Sequence, residues 1–127
     1  RPMLITLATP TRAQAPAVHA GNDTIAVRFD DLADDRSFVY SADTEPAETV
    51  VRLAAGADLL LHEATGSHAG HSSPEDAAEV ARDAGVERLA LIHYPVIDTD
   101  LEAWRRRAAE RFPGPVTLAQ DGDVYPF

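Results

Sequence analysis

The chain predicts an α/β fold, a mixed sheet covered by helices, on three observations. The first third reads as short strands broken by prolines and acidic turns. From Pro46 onward helix and strand patterns alternate. Of the 127 residues 45% are hydrophobic and 25% charged, enough apolar material for a core and too much for disorder.

The elements follow in order. Met3-Leu4-Ile5-Thr6-Leu7 reads as a strand, and the stretch holding Pro10 and Pro16 suits a loop or an edge strand. Residues 24–29 and 37–41 alternate as strands should, and the acidic turn from Asp30-Asp31 to Asp34-Asp35 makes them a hairpin. A helix is expected over 46–55, with Pro46 in the first turn and Gly56 at the end. Residues 58–62 form a short buried strand. The clearest helix covers 73–84: Ser73 as N-cap, Pro74 at the first position, Asp76 completing a capping box, and Gly85 as the stop. Residues 88–93 form another buried strand. Asp98 or Thr99 caps a last helix reaching about Arg111, and residues 116–119 and 124–125, joined by Asp121-Gly122, suggest a closing hairpin.

Composition excludes several function classes. There is no cysteine, so disulfides, thiolate nucleophiles and cysteine zinc sites are absent, and any metal must be held by His and carboxylate. Formal charge is −10, from 21 acidic and 11 basic residues, and every basic residue is Arg. Such a body repels nucleic-acid phosphate unless its arginines share one face. Arg105-Arg106-Arg107 is the one basic cluster, and on a helix it spreads over roughly 200°, so it is read as a solvated face paired with Glu102 and Glu110. The longest apolar runs, Leu59-Leu60-Leu61 and Leu89-Ala90-Leu91-Ile92, are far below the roughly 20 residues of a membrane span. No basic-then-apolar signal pattern opens the chain, so no membrane association and a cytoplasmic location are expected. Arg1 in place of an initiator Met reads as a piece of something longer.

Polar groups collect at strand ends. His19 follows Ala17-Val18, His62 follows Leu59-Leu60-Leu61, His93 follows Leu91-Ile92, and Asp43 follows the strand ending at Ser41. Taken singly, each His is a hydrogen-bonded rim residue and Asp43 a cap for the helix at Pro46. Taken together, imidazoles and a carboxylate at the C-terminal ends of strands form the ligand set for zinc, manganese or iron where thiolate is lacking.

Ser41-Ala42-Asp43-Thr44 resembles the S-G-D-T element of metallo-β-lactamase-fold hydrolases. Asp58-Leu59-Leu60-Leu61-His62-Glu63-Ala64-Thr65 resembles the D-L-L-x-H-E-A-T segment of the ribonuclease Z branch, Gly70-His71-Ser72-Ser73 its G-H-S-T, and Leu91-Ile92-His93-Tyr94 its L-x-H-F. Val18-His19 before Ala26-Val27-Arg28-Phe29 is similar to the earlier His-then-strand element. The likeness runs from about Val18 to Tyr94. It implies that His19 is a terminal ligand of one metal, that Asp43 bridges two, and that His93 binds the second. It also implies that His71 contacts the scissile phosphate or protonates the leaving oxygen, with Glu63 orienting it. Two divalent ions, Zn or Mn, sharing a hydroxide would supply the chemistry. His62 has no assigned role, and His68 is read as a solvated loop residue.

The family's N-terminal H-x-H-x-D-H cluster is absent. Residues 1–127 therefore resemble the C-terminal half of an αβ/βα metallo-β-lactamase sandwich, with the N-terminal half supplied by the same polypeptide or a partner chain. His19, Asp43 and His93 alone leave each metal about two protein ligands, below the three or four of zinc sites. The gap from His19 to Asp43 has no inserted arm, and Tyr94-Pro95-Val96-Ile97 stands where the family has F-S-x-R. tRNA is accordingly disfavoured as substrate against a small ester or phosphodiester. The leading expectation is a ribonuclease Z-like phosphodiesterase. Its alternatives are a lactone, thioester or sulfate-ester hydrolase of the same fold, and a non-catalytic structural or dimerisation fragment, with a homodimer as one arrangement.

Overall fold

Six strands run in sequence order across one sheet: β1 (Met3–Ala8), β2 (Ala26–Asp31), β3 (Arg36–Tyr40), β4 (Leu59–Glu63), β5 (Arg88–Ile92) and β6 (Val116–Leu118). The structure, a computed structural model, describes residues 3–8 and 24–127. β1, β2 and β3 pair antiparallel, while β3, β4, β5 and β6 pair parallel, so the sheet is mixed as expected. Helices α1 (Glu48–Ala54), α2 (Pro74–Ala84) and α3 (Leu101–Ala109) make the parallel crossovers. No helix among the described residues is long and apolar enough to cross a membrane.

Helices cover one face of the sheet. Val39, Leu60, Leu89 and Leu91 pack there with Val50 and Leu53 of α1, Ala77 and Ala81 of α2, and Ala108 of α3 in one buried cluster. Small residues on α2 let its backbone approach the strands closely, and Arg107 of α3 clamps α2 through a two-pronged pair with Glu75 at 2.6 and 2.9 Å. On the opposite face, register aligns Ile5, Phe29, Phe38 and Leu59 in one row and Val27, Tyr40, Leu61 and Ala90 in the next. Phe38 stacks on Phe29 and meets Phe127 edge-on, whereas Ile5 and Tyr40 are exposed.

The signals around α2 hold in full. Ser73 and Asp76 form a reciprocal capping box, and Gly85 adopts the left-handed conformation at φ 67° that ends the helix. Other boundaries move. Pro46 lies outside α1, which starts at Glu48 after an extended Ala47 with no side-chain cap, because the chain up to Thr44 is tied to the sheet before it can wind. α3 is capped by Asp100, whose Oδ1 accepts from the Ala103 N–H. Asp98 is instead left-handed at φ 52°, and the Thr99 hydroxyl turns back to the Ile97 carbonyl. The expected closing hairpin is corrected: β6 follows a helical crossover and pairs parallel to β5. A turn at 120–123 then sends residues 124–127 back as non-strand chain toward Phe38. Arg107 pairs across to Glu75 instead of with Glu110, while Arg105 takes Glu102 as expected. The segment with Pro10 and Pro16, and His19, lie outside the described residues.

This topology positions the site. Because β3, β4 and β5 are adjacent and parallel, their C-terminal ends open side by side, which brings the turns after Tyr40, Glu63 and Ile92 to one edge of the sheet.

Candidate metal centre

Asp43, His71 and His93 converge at that edge, each offering one donor atom within 4.8 Å of the others'. Asp43 arrives from the turn after β3 and His93 from the residue after β5. His71 comes from the loop between β4 and α2. Two of these turns carry strain. Ala42 has φ 54° and His93 φ 51°, left-handed values that cost a non-glycine residue on the order of 1 kcal/mol or more and that persist only when surrounding contacts hold them. Those contacts are present. The Ser41 hydroxyl donates to the Ala42 carbonyl at 2.7 Å and accepts from the Glu63 N–H at 3.0 Å, while the Thr65 hydroxyl donates to the His93 carbonyl at 2.8 Å.

Ring orientation is defined from behind. With its proton committed to that carbonyl, the Thr65 oxygen faces His93 Nδ1 at 3.1 Å as an acceptor, and Asp43 Oδ1 lies 2.9 Å from the same nitrogen. Nδ1 therefore carries a hydrogen, which leaves Nε2 as the nitrogen a cation would use. His71 Nδ1 donates to Glu63 Oε1 at 3.0 Å. A histidine whose one ring nitrogen is fixed by a carboxylate, its other ring nitrogen being the one that meets a cation, is the arrangement that orients metal ligands.

Glu63 does more than hold His71. Its side chain is fully buried, and Oε1 also accepts the backbone N–H groups of Thr44 and Ser72, both at 3.1 Å, while Oε2 accepts that of Thr65 at 2.9 Å. One carboxyl thus ties together the turns after β3 and β4 and the start of α2. Exposure rises outward from it: His71 16%, Asp43 35%, His93 55%. The donor groups face open space above a rigid floor.

These residues fit a divalent cation. Borderline ions take imidazole nitrogen and carboxylate oxygen at about 2.0–2.2 Å, which places tetrahedral donors about 3.4 Å apart, so side-chain rotation closes the gap from 4.8 Å. Burial, opposed by the Glu63 carbonyl bond and by the charges of Glu63 and Asp76, holds the His62 imidazole below its usual pKa of 6.5. His62 Nδ1 donates to the Glu63 carbonyl at 2.8 Å and lies on the opposite face of β4 from Glu63, outside the donor cluster. His68 is exposed in the loop. The roles of Thr65 and of the Thr44 and Ser72 N–H groups escape sequence reasoning. Thr65 stands in a motif that draws the eye to His62 and Glu63, and main-chain donors leave no residue signature.

Beside His93, a cleft of about 530 Å³ is lined by His93, Tyr94, Val96, Leu101, Ala119, Gln120 and Asp121. The Tyr94 hydroxyl donates to the Ala119 carbonyl at 2.7 Å, which locks the ring as a wall. Burial first, and then the nearby Tyr125, Asp123 and Asp121, push the Tyr94 phenol above its usual pKa.

Residues 3–94 match the family described as the beta-lactamase superfamily domain. Among curated proteins, a ribonuclease Z of Haloferax volcanii is 34% identical over 91% of this chain and 42% of its own length. A ribonuclease Z of Halorubrum lacusprofundi is 42% identical over 70% of this chain and 32% of its own. The crystal structure of the metallo-beta-lactamase fold protein YhfI from Bacillus subtilis superposes with a TM-score of 0.82 at 26% identity, covering 97% of this chain and 49% of that one. The chain thus spans about a third to two fifths of those curated relatives and half of that solved structure.

Proposed function

The chain belongs to the beta-lactamase superfamily, and from that premise we propose that it is the C-terminal half, residues 1–127, of a metal-dependent hydrolase, a ribonuclease Z-like phosphodiesterase. The carrying observation is the convergence of Asp43, His71 and His93 over a buried Glu63. In this reading Asp43 and His93, together with His19, hold two divalent ions, zinc or manganese. An N-terminal half, from the same polypeptide or a partner chain, completes their coordination. Exposed Ile5 and Tyr40, in neighbouring rows of the face opposite the helices, support such a covering layer. When bound, the ions activate a water and draw charge off the attacked centre.

This chain's own residues do the rest. Glu63 fixes the His71 ring by accepting from Nδ1, so Nε2 is the nitrogen left to face the bound ester. Thr65 holds the His93 ring in its tautomer. Asp43, on a short stem, offers two oxygens from one turn.

The test is turnover by the complete protein with added zinc or manganese, on a chromogenic phosphodiester and on a lactone. Phosphodiester hydrolysis should fall at least about a hundredfold in His93→Ala and in Asp43→Ala with the fold retained by circular dichroism. Hydrolysis of neither ester, or full activity in either variant, overturns the reading.

A further inference from the structure

The cleft beside His93 shares a wall with the donor cluster, since His93 belongs to both. A substrate held at the centre has this cleft open beside it. None of its seven lining residues is Arg or Lys, and Asp121 is acidic. Asp123 adds a second carboxylate near Tyr94. Val96 is 68% exposed at its lip and the neighbouring Ile97 81%, an outlay of apolar surface with nothing among the described residues to cover it. A polynucleotide tail needs Arg or Lys where it leaves the reacting phosphorus, and here it would meet carboxylates and aliphatic groups. The Tyr94 ring, Val96 and Leu101 instead offer flat and branched apolar contact for an uncharged group, with Gln120 to orient one polar atom.

Resting on the hydrolase reading above, we propose that this cleft is the subsite for an uncharged, apolar organic substituent. The substrate is then a small phosphodiester or ester carrying an aryl or alkyl group, and Val96 and Leu101 set its size preference.

Equilibrium binding separates this from the activity itself. Diphenylphosphinate and dimethylphosphinate are titrated calorimetrically into the complete protein with zinc, alongside a twelve-nucleotide single-stranded oligothymidylate. A phenyl in place of a methyl should tighten binding about tenfold or more. Val96→Asp, at a position too exposed to unfold the chain, should erase that preference. Equal affinities, absence of measurable binding, a preference that survives Val96→Asp, or tighter binding of the oligonucleotide each overturn the proposal. A protein that binds diphenylphosphinate selectively but hydrolyses no ester keeps the subsite and loses the hydrolase reading. One that hydrolyses esters without the phenyl preference does the reverse.

Discussion

Removing the Glu63 carboxyl should unfasten the floor of the site before it affects any chemistry. In Glu63→Ala, the Thr44 and Ser72 N–H groups lose a buried acceptor, and the Thr65 N–H and His71 Nδ1–H lose one at a partly buried position. An orphaned buried donor costs about 1–3 kcal/mol. The two buried groups and the two partly wetted ones, less what an entering water restores, place the loss near 4 kcal/mol. For 127 residues the unfolding entropy is about 270 cal/mol/K, so Tm should fall by about 15 °C. Glu63→Gln is the discriminating partner. Its amide oxygen can take the Oε1 position and keep all three donors there, whereas its NH2 must face the Thr65 N–H, a loss of about 1–2 kcal/mol. Urea unfolding followed through Trp104, the single tryptophan, reads both. An Ala variant within about 1 kcal/mol of the parent, or a Gln variant as damaged as Ala, would show that these bonds do not organise the three turns.

Further outcomes follow from the same geometry. His62 is held neutral by burial, its pKa below 6.5, so the unfolded chain takes up a proton there before the fold does. Stability from this group is complete above about pH 6.5 and declines as pH falls, by at most about 1.4 kcal/mol per unit. The parent should therefore lose stability between pH 7.5 and 5.5 faster than His62→Leu does, and parallel urea midpoints would refute this. The Arg28 guanidinium donates to the Leu53 and Ala55 carbonyls at the end of α1, to Asp30 and to the Ser37 hydroxyl. A lysine there cannot reproduce the fork, and Arg28→Lys should cost about 1–2 kcal/mol by the same assay, an unchanged midpoint counting against that capping role. Gly85 meets nothing within 4 Å of an added Cβ, so Gly85→Val is penalised through φ 67° alone, by about 1–2 kcal/mol, with Gly85→Asn milder. Equal melting temperatures for the two variants would show that backbone handedness is not what matters there.

The sequence was most legible where local chemistry and long-range geometry agree. Ser73, Pro74, Asp76 and Gly85 specify α2 within thirteen residues, and the structure uses each as read. Boundaries failed where tertiary contacts overrule local signals. Pro46 suits a first helical turn, yet the chain before it is pinned through Thr44 to Glu63, which delays α1 by two residues. The tail after Asp121-Gly122 has hairpin chemistry but no strand to return along, because β6 is already committed to β5 in parallel.

At the site, what could be read was which strand ends carry donors, because apolar runs ending in His or Asp are visible one at a time. Their meeting depends on β3, β4 and β5 being parallel neighbours, a property of pairing that no single run contains. The strain at Ala42 and His93 belongs to the same category. Alanine is an unfavourable residue for φ 54°, so the residue at 42 does not by itself announce the bend. The bend survives because Ser41 bonds both across to β4 and back to Ala42, and because Glu63 gathers Thr44 and Ser72. The strained turns that present Asp43 and His93 and the buried carboxyl that aligns His71 are thus parts of one hydrogen-bonded unit. A substitution in that unit should alter ligand geometry at all three donors together, even when it touches none of them.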